Sequence, residues 1–446
     1  MSEQTKRIAK NAAILLLSVL LLVLTFITWF GKMLPGNAAR REAMGEFFGG
    51  ILGREDSAAE LYVDYEAYEY TLRVLAPVRA AVRSGEGMCA LSDRDQVREL
   101  FERSGSALTG AFESASEARS LSRQNWRRYL SGQHLFFDFE GELPLDILAA
   151  AFDADPQRFD GRTARYLVLA ADEREVSLLW KTADGKLYSA DTAVTSGEFA
   201  ALLSEYGTGD AMFAFEQENL SHLPDEFIVV PHREAPAVYM PTSLVSENTS
   251  ATGERMIQTV LTGFGFSPYL TGGYLESDYT RVYVEELSTL RIQADGKLSY
   301  LSPGKTEQPE IPDVERRLML VNHAASLLDR VLSDVIGDGS LYLQEISCEE
   351  DTGRLTVTFG CSVEGIPMVQ DDGYFARLEY EGEQLCAAYL TLQSFLRLQQ
   401  TELLLPEEQA AAVTEGNCAV FELRYQENRQ GEYHAGWYYV LEQPAA

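Results

Sequence analysis

The feature that most constrains this chain is an apolar run from Ala12 to Phe30. No charged side chain lies between Lys10 and Lys32. A helix rises about 1.5 Å per residue, so roughly twenty residues cross a hydrocarbon core of about 30 Å, and residues 11–31 reach that length. The run therefore predicts a single transmembrane helix.

The charges before the run predict its orientation. Lys6, Arg7 and Lys10 precede it, against one acid, Glu3. Because basic residues favour the cytoplasmic side, residues 1–10 are expected to be a cytoplasmic tail in a cell membrane. The bulk of the chain is then extracytoplasmic.

The same run has a second interpretation, a cleaved signal peptide. Such peptides usually have an apolar region of about 7 to 15 residues. This run is longer, which favours a retained anchor, although Ala38 and Ala39 offer small residues beyond it. A lipoprotein needs a cysteine directly after the run, and because the first cysteine is Cys89, this class is excluded.

Composition narrows the possible partners. The chain has 68 acidic and 37 basic residues and a net charge of −31, so nucleic acid would be repelled and is not an expected partner. Hydrophobic residues make up 46% and aromatic residues 11%, which is typical of folded protein. The five cysteines are few and odd in number, so they predict no disulfide framework.

The alternation of periodic segments and turn signals predicts an α+β fold class. The transmembrane helix is followed by a multi-domain extracytoplasmic region of mostly antiparallel sheets with packed helices. The predicted divisions are a tail at 1–10, the transmembrane helix at 11–31, a first α+β domain at 32–220, a linker at 221–250, a middle α+β domain at 251–304, and a C-terminal α+β domain at 305–446.

One strand pattern offered a candidate site. Residues 134–142 alternate so that Phe137 and Phe139 point one way and Asp138 and Glu140 the other. Two carboxylates on one face could form an acid and base pair. A solvated strand face is the commoner arrangement, and it is the one predicted here.

Motif searches yield no catalytic, cofactor-binding or metal-binding residues. There is no nucleophile elbow and no zinc-binding helix motif. Asp153 and Asp155 begin like a calcium loop, but Arg158 occupies the position that needs glycine. Ser302 and Lys305 match a serine-lysine motif in letters only. We therefore predict a protein that is not an enzyme, with an unrecognised wall hydrolase as a remote alternative.

Three segments carry a resemblance to a known family. Residues 126–146, which include the aromatic and acidic strand, resemble the first ectodomain segment of the YycH regulatory proteins. Residues 265–269, with 289–292 and the turn at 295–296, are similar to the middle segment of that family. Residues 341–398 resemble the terminal unit that YycH shares with the sister protein YycI.

The resemblance implies a regulator of a two-component system in a Gram-positive bacterium. The implied partners are a WalK-type sensor histidine kinase, which controls cell-wall homeostasis, and a sister YycI-like protein, both contacted through the membrane helix. Within that helix the predicted contact residues are Ser18, Leu22, Thr25 and Trp29, because hydroxyls can hydrogen-bond a neighbouring helix. The alternative is an extracytoplasmic ligand-binding or protease-inhibitory module formed by residues 306–446.

Overall fold

The computed structural model describes most of the chain from residue 70 onward. The described ranges are 70–85, 87–172, 175–207, 209–231, 233–243, 251–267, 272–303, 311–332, 336–414 and 416–441. Within these ranges no helix combines the length and the apolar character that a membrane span requires. The predicted span at 11–31, with Ser18, Leu22, Thr25 and Trp29, lies outside the described residues.

Strands form most of the fold. In chain order they are β1 (Arg79–Arg83), β2 (Met88–Leu91), β3 (Arg119–Ser120), β4 (His134–Pro144), β5 (Thr163–Asp172), β6 (Glu175–Lys181), β7 (Leu187–Thr195), β8 (Met212–Phe213), β9 (Ile228–Val229), β10 (Ala237–Ser243), β11 (Gly273–Leu275), β12 (Arg281–Glu285), β13 (Ser288–Ile292), β14 (Lys297–Leu301), β15 (Ser340–Cys348), β16 (Leu355–Val363), β17 (Ile366–Pro367), β18 (Ala376–Glu381), β19 (Gln384–Thr391), β20 (Gln393–Thr401), β21 (Cys418–Glu427) and β22 (Tyr433–Leu441).

The helices pack against these strands. They are α1 (Arg94–Arg103), α2 (Gly105–Ser114), α3 (Arg123–Ser131), α4 (Leu145–Ala151), α5 (Ser196–Ser204), α6 (Ala251–Gly263), α7 (Val314–Leu332) and α8 (Glu407–Ala412). Polar side chains begin several of them, because the first N–H groups of a helix have no partner within it. Asp93 accepts from the N–H of Gln96 at the start of α1, and Asp313 accepts from that of Arg316 at the start of α7.

One sheet runs through the molecule. Its strand order is β11-β12-β13-β14-β19-β18-β16-β15-β4-β5-β6-β7-β3, with β1, β2 and β17 attached beside this path. A second sheet has the order β20-β10-β22-β21, and β8 pairs with β9. Among the described strand pairs only β4 with β15 is parallel, with Glu142 opposite Glu345. The predicted α+β class with mostly antiparallel sheets is confirmed.

The main sheet crosses the predicted divisions of the chain. Strand β4 belongs to the first predicted domain, β14 to the middle one, and β15 and β19 to the last, yet all four are joined in one sheet. The described residues form one compact unit by their internal contacts. The division into three domains stays a prediction. The segments that it separates are hydrogen-bonded to one another in the main sheet.

Strand β4 is buried on both faces, which corrects the prediction for its carboxylates. Phe137 and Phe139 pack into the main core against Phe101, with ring centroids 5.4 and 6.2 Å away. The opposite face is covered as well, and Asp138 is only 6% exposed. The predicted solvated face was wrong because arginines from neighbouring strands bind these carboxylates.

Candidate functional site

A cleft of about 1390 Å³ opens beside β1 and β4. Helix α1 forms one wall, and strand β21 with the segment 224–230 forms another. The loop at 337–340 and the turn between β16 and β17 complete it. The cleft therefore gathers residues from both ends of the described chain, as ligand sites between packed layers commonly do.

A buried charge cluster contributes four residues to the lining of the cleft, Arg79, Asp138, Arg165 and Glu422. It consists of three arginines and three carboxylates: Arg79, Asp138, Glu140, Arg165, Glu422 and Arg424. Their formal charges cancel. Since an unpaired charge away from water is very costly, mutual pairing is what allows these six side chains to lie here.

Arg79 holds the centre of this cluster. Its Nη2 donates to Asp138 Oδ2 at 2.7 Å and its Nε donates to the same oxygen at 3.0 Å. Nη2 also contacts Glu140, and Nη1 donates to the carbonyl of Gly365 at 3.3 Å. One guanidinium thus joins β1, β4 and the turn that precedes β17.

Arg165 links the main sheet to the second sheet. Its Nη2 lies 3.1 Å from Glu422 Oε2 and 3.5 Å from Glu140 Oε2. Glu422 is also bound by Arg424. Because Arg165 is on β5 of the main sheet and Glu422 is on β21 of the second, this pair fixes one sheet against the other.

Burial and pairing shift the pKa values in opposite directions. Burial by itself would raise the pKa of Asp138, but Arg79 and Arg165 hold it below its ordinary value. Burial raises the pKa of Glu140, and Glu422 and Asp138 add to the rise against the two arginines. Glu140 therefore gives up its charge more readily than Asp138.

The backbone at Glu140 is strained. Its φ is +62°, in the left-handed region that non-glycine residues seldom adopt. This turn of the strand directs the Glu140 side chain toward Arg79 and Arg165 while the next residue, Gly141, lies against the backbone of Gln344 on β15. Strain of this kind persists where the surroundings hold it, often at functional positions.

Two further arginines lie on the α1 wall. Arg94 is exposed within the cleft and Arg98 is half-buried. Partial desolvation by the surrounding cleft lowers the pKa of both guanidinium groups, that of Arg98 to about 10; Arg94 adds to the shift of Arg98 by repulsion, and the charges of Asp329 and Asp95 oppose it. Neither guanidinium is in an ion pair among the described residues. The wall thus presents two guanidinium groups that have carboxylates nearby but no direct counter-ion.

The chemistry available here is charge recognition. No histidine lines the described part of the cleft, and no group of three His, Cys, Asp or Glu side chains within the described ranges is arranged to hold a metal ion. Cys418 is on the lining, and all five cysteines are free thiols.

Sequence reasoning found part of this site. It singled out Asp138 and Glu140 by their alternation on β4, but not their partners Arg79 and Arg165. Arginines at those positions have no distinctive spacing, since 59 residues separate Arg79 from Asp138 and 257 separate Arg165 from Glu422. Only the sheet pairing brings them together.

His134, at the start of β4, is a second buried titratable group. It is fully buried, its Nδ1 lies 2.9 Å from the carbonyl of Gly132, and its Nε2 has no hydrogen-bond partner among the described residues. Burial lowers its pKa to about 3, and nearby Arg83 adds to this. His134 is therefore neutral in the folded protein over the usual pH range.

This shift predicts a pH dependence of stability. The unfolded chain protonates His134 near pH 6.5 and the folded chain only near pH 3, so stability is present above pH 6.5 and is lost as pH falls between these values. We expect a His134→Gln variant to show a shallower acid slope than the parent. The difference should approach about 1.4 kcal/mol per pH unit, measured by urea unfolding at pH 7, 6 and 5.

His434 offers the matched control, because its pKa shift has the opposite sign. A hydrogen bond with Glu402 and another with Glu432 raise the pKa of His434. The protonated His434 stabilises the fold at pH values below its pKa in the unfolded chain. This stabilisation is lost as pH rises through its pKa in the folded chain. His434→Gln should therefore steepen the acid slope. Equal slopes for the two variants would contradict both assignments.

Comparison with solved structures gives two similar chains. The crystal structure of YycH from Bacillus subtilis is similar to 83% of this chain over 95% of its own length, with a TM-score of 0.48 and 9% identity. A protein from Eubacterium rectale matches 48% of this chain over 79% of its own, with a TM-score of 0.26 and 10% identity. No family model and no curated protein matches the sequence.

Proposed function

We propose that this chain is a membrane-anchored, extracytoplasmic regulator of a WalK-type sensor histidine kinase. It acts by protein–protein contact and not as an enzyme. The observation that supports this most directly is the placement of the segments that resemble the YycH family. They include β4, β13 and the strands β15 to β19, which belong to one sheet. The strands that carry the resemblance are therefore joined in one hydrogen-bonded sheet.

The proposed contact surface is the apolar segment at 11–31. Ser18, Leu22, Thr25 and Trp29 are three or four residues apart in the sequence, the spacing that places side chains on one face of a helix. In lipid, helix association depends on close packing and on hydroxyl hydrogen bonds, since apolar burial adds little between lipid-exposed surfaces. The WalK-type kinase and a sister YycI-like protein are the partners we propose for this face.

The test is a helix exchange in the full-length chain. We expect that replacing residues 11–31 by an unrelated membrane helix of equal length reduces co-purification of the kinase at least tenfold. The measurement is recovery of kinase from detergent extracts of membranes that contain both proteins. The free cysteines and the melting temperature of the extracytoplasmic part should be unchanged, because they report only on the fold beyond the anchor.

A finer pair of variants separates this face from the rest of the helix. Ser18→Leu with Thr25→Leu alters the proposed face, whereas Leu16→Ile with Leu20→Ile changes apolar packing elsewhere in the same segment. The first pair should weaken kinase recovery and the second should not. Full kinase recovery with the exchanged helix would refute the proposal.

A further inference from the structure

The charge of the cleft differs from that of the chain. The whole chain has almost twice as many acidic as basic residues, 68 against 37. The cleft is lined by nine basic and ten acidic side chains. The nine basic and ten acidic side chains give the lining a formal charge of −1, so this concave surface is nearly neutral on a chain whose net charge is −31.

Most of these bases already have carboxylate partners. Arg79 and Arg165 belong to the buried charge cluster. Lys181 binds Glu226 at 2.6 Å, and Arg397 lies 3.4 Å from Glu364. In each pair the two charges neutralise each other, so these basic residues stabilise the walls of the cleft and add little uncompensated positive charge to it.

Arg94 and Arg98 are different. Among the described residues neither has a carboxylate within ion-pair distance. Asp329 and Asp95 carry the carboxylate charges that act on both guanidinium groups, but neither forms an ion pair with them. Two arginines side by side repel each other, and Arg98 is half-buried, so leaving both without a direct ion pair costs free energy.

Their spacing suits a shared ligand. Arg94 and Arg98 are four residues apart on α1, which places their Cβ atoms about 6 Å apart on one face of the helix. Arginine presents a planar fork of donors that matches two oxygens of a carboxylate or phosphate. Two such forks on one wall can enclose a group of closely spaced oxyanions.

We propose that Arg94 and Arg98 form a binding site for a multivalent oxyanion, a ligand with two or more neighbouring carboxylate or phosphate groups. A single anion would leave one guanidinium uncompensated, whereas two adjacent anionic groups match both. The cleft volume of about 1390 Å³ is larger than that of a typical small-ligand pocket, so the anionic group can be part of a longer molecule. This inference does not rest on kinase contact.

The test uses two probes that separate the sources of the oxyanion, inorganic pyrophosphate and citrate. Binding to the full-length chain in neutral detergent is measured by calorimetry at constant ionic strength. We expect saturable binding of at least one probe, weakened about tenfold or more by Arg94→Gln and again by Arg98→Gln, because each removes charged hydrogen bonds. Tighter binding of pyrophosphate assigns phosphate chemistry, and tighter binding of citrate assigns carboxylate chemistry.

Matched variants make the test specific. Arg397→Gln removes one positive charge from the same cleft, but from an arginine that already has a partner, and should change affinity less than twofold. Arg94→Lys with Arg98→Lys keeps the charges and removes the planar forks, so binding should be intermediate. Unchanged melting temperatures confirm folding. Absence of binding by both probes, or equal losses in the Arg397 and Arg98 variants, would overturn the proposal.

Discussion

Replacing Arg79 by methionine is expected to lower the free energy of unfolding by about 3 to 5 kcal/mol. Methionine keeps an unbranched apolar stem but leaves Asp138 and Glu140 without their main counter-charge. The side chains of these carboxylates are only 8% and 7% exposed, so water cannot replace the lost partner. Urea unfolding, followed by the fluorescence of the buried Trp126 and Trp180, measures the effect.

Arg119→Met is the matched control, because it breaks an arginine–carboxylate pair on the surface. Arg119 and Asp191 are 61% and 55% exposed, and solvent screens both charges after the substitution. We expect a loss below about 1 kcal/mol. If the two variants were equally stable, the buried charge cluster would not hold the sheets together as described. Glu140→Gln should cost less than Arg79→Met, since burial already raises the pKa of Glu140.

Replacing Gly141 by alanine is the second change for which we expect a large effect. A Cβ at this position would lie 2.0 Å from the carbonyl oxygen of Gln344, a backbone atom of β15. Backbone cannot rotate away as a flexible side chain can, so β4 and β15 must separate locally. We expect a loss of about 3 kcal/mol or more and faster amide exchange in residues 342–346, measured by hydrogen exchange with mass spectrometry.

Gly197→Ala tests whether this effect is local. Gly197 lies in α5, its φ is not in the left-handed region, and no atom lies within 4 Å of an added Cβ. Alanine favours helix and restricts the unfolded chain, so this variant should gain about 0.4 to 1 kcal/mol. A loss of stability in Gly141→Ala together with a gain in Gly197→Ala would show that the close approach of β4 to β15 causes the loss.

Local features of the fold could be predicted from the sequence because their causes are local. The sequence Ala-Asp-Gly occurs at 183–185 and 294–296 and predicts a tight turn in each place, and Gly185 and Gly296 adopt the positive φ that such turns require. Asp313 is a residue type that commonly caps helices, and α7 begins directly after it. Ser92, with Asp95 three residues later, resembles a capping box and predicts the start of α1, but the structure has Asp93 as the cap, so a different oxygen binds the N–H of Gln96 while the helix is the same.

Long-range features could not be predicted from the same signals. The pattern of residues 385–398 is typical of a single strand, but the structure divides this segment at Leu392 into β19 and β20, which belong to different sheets. The N–H of Leu392 donates to the carbonyl of Gly296, so the break depends on a residue almost a hundred positions earlier. The partners of Asp138 and Glu140 were missed for the same reason.

The parallel pairing of β4 with β15 also determines when this part of the main sheet can form during synthesis of the chain. Glu142 meets Glu345, so this part of β4 cannot find its neighbour until the chain has been synthesised past residue 345. Until then the end of β4 beyond Asp138 has an open edge on this side, the condition under which chains misassociate. Contacts so distant in sequence also slow folding. A chain of this design therefore depends on protection of that edge during its synthesis, and a chain that ends before β15 lacks the strand that completes it.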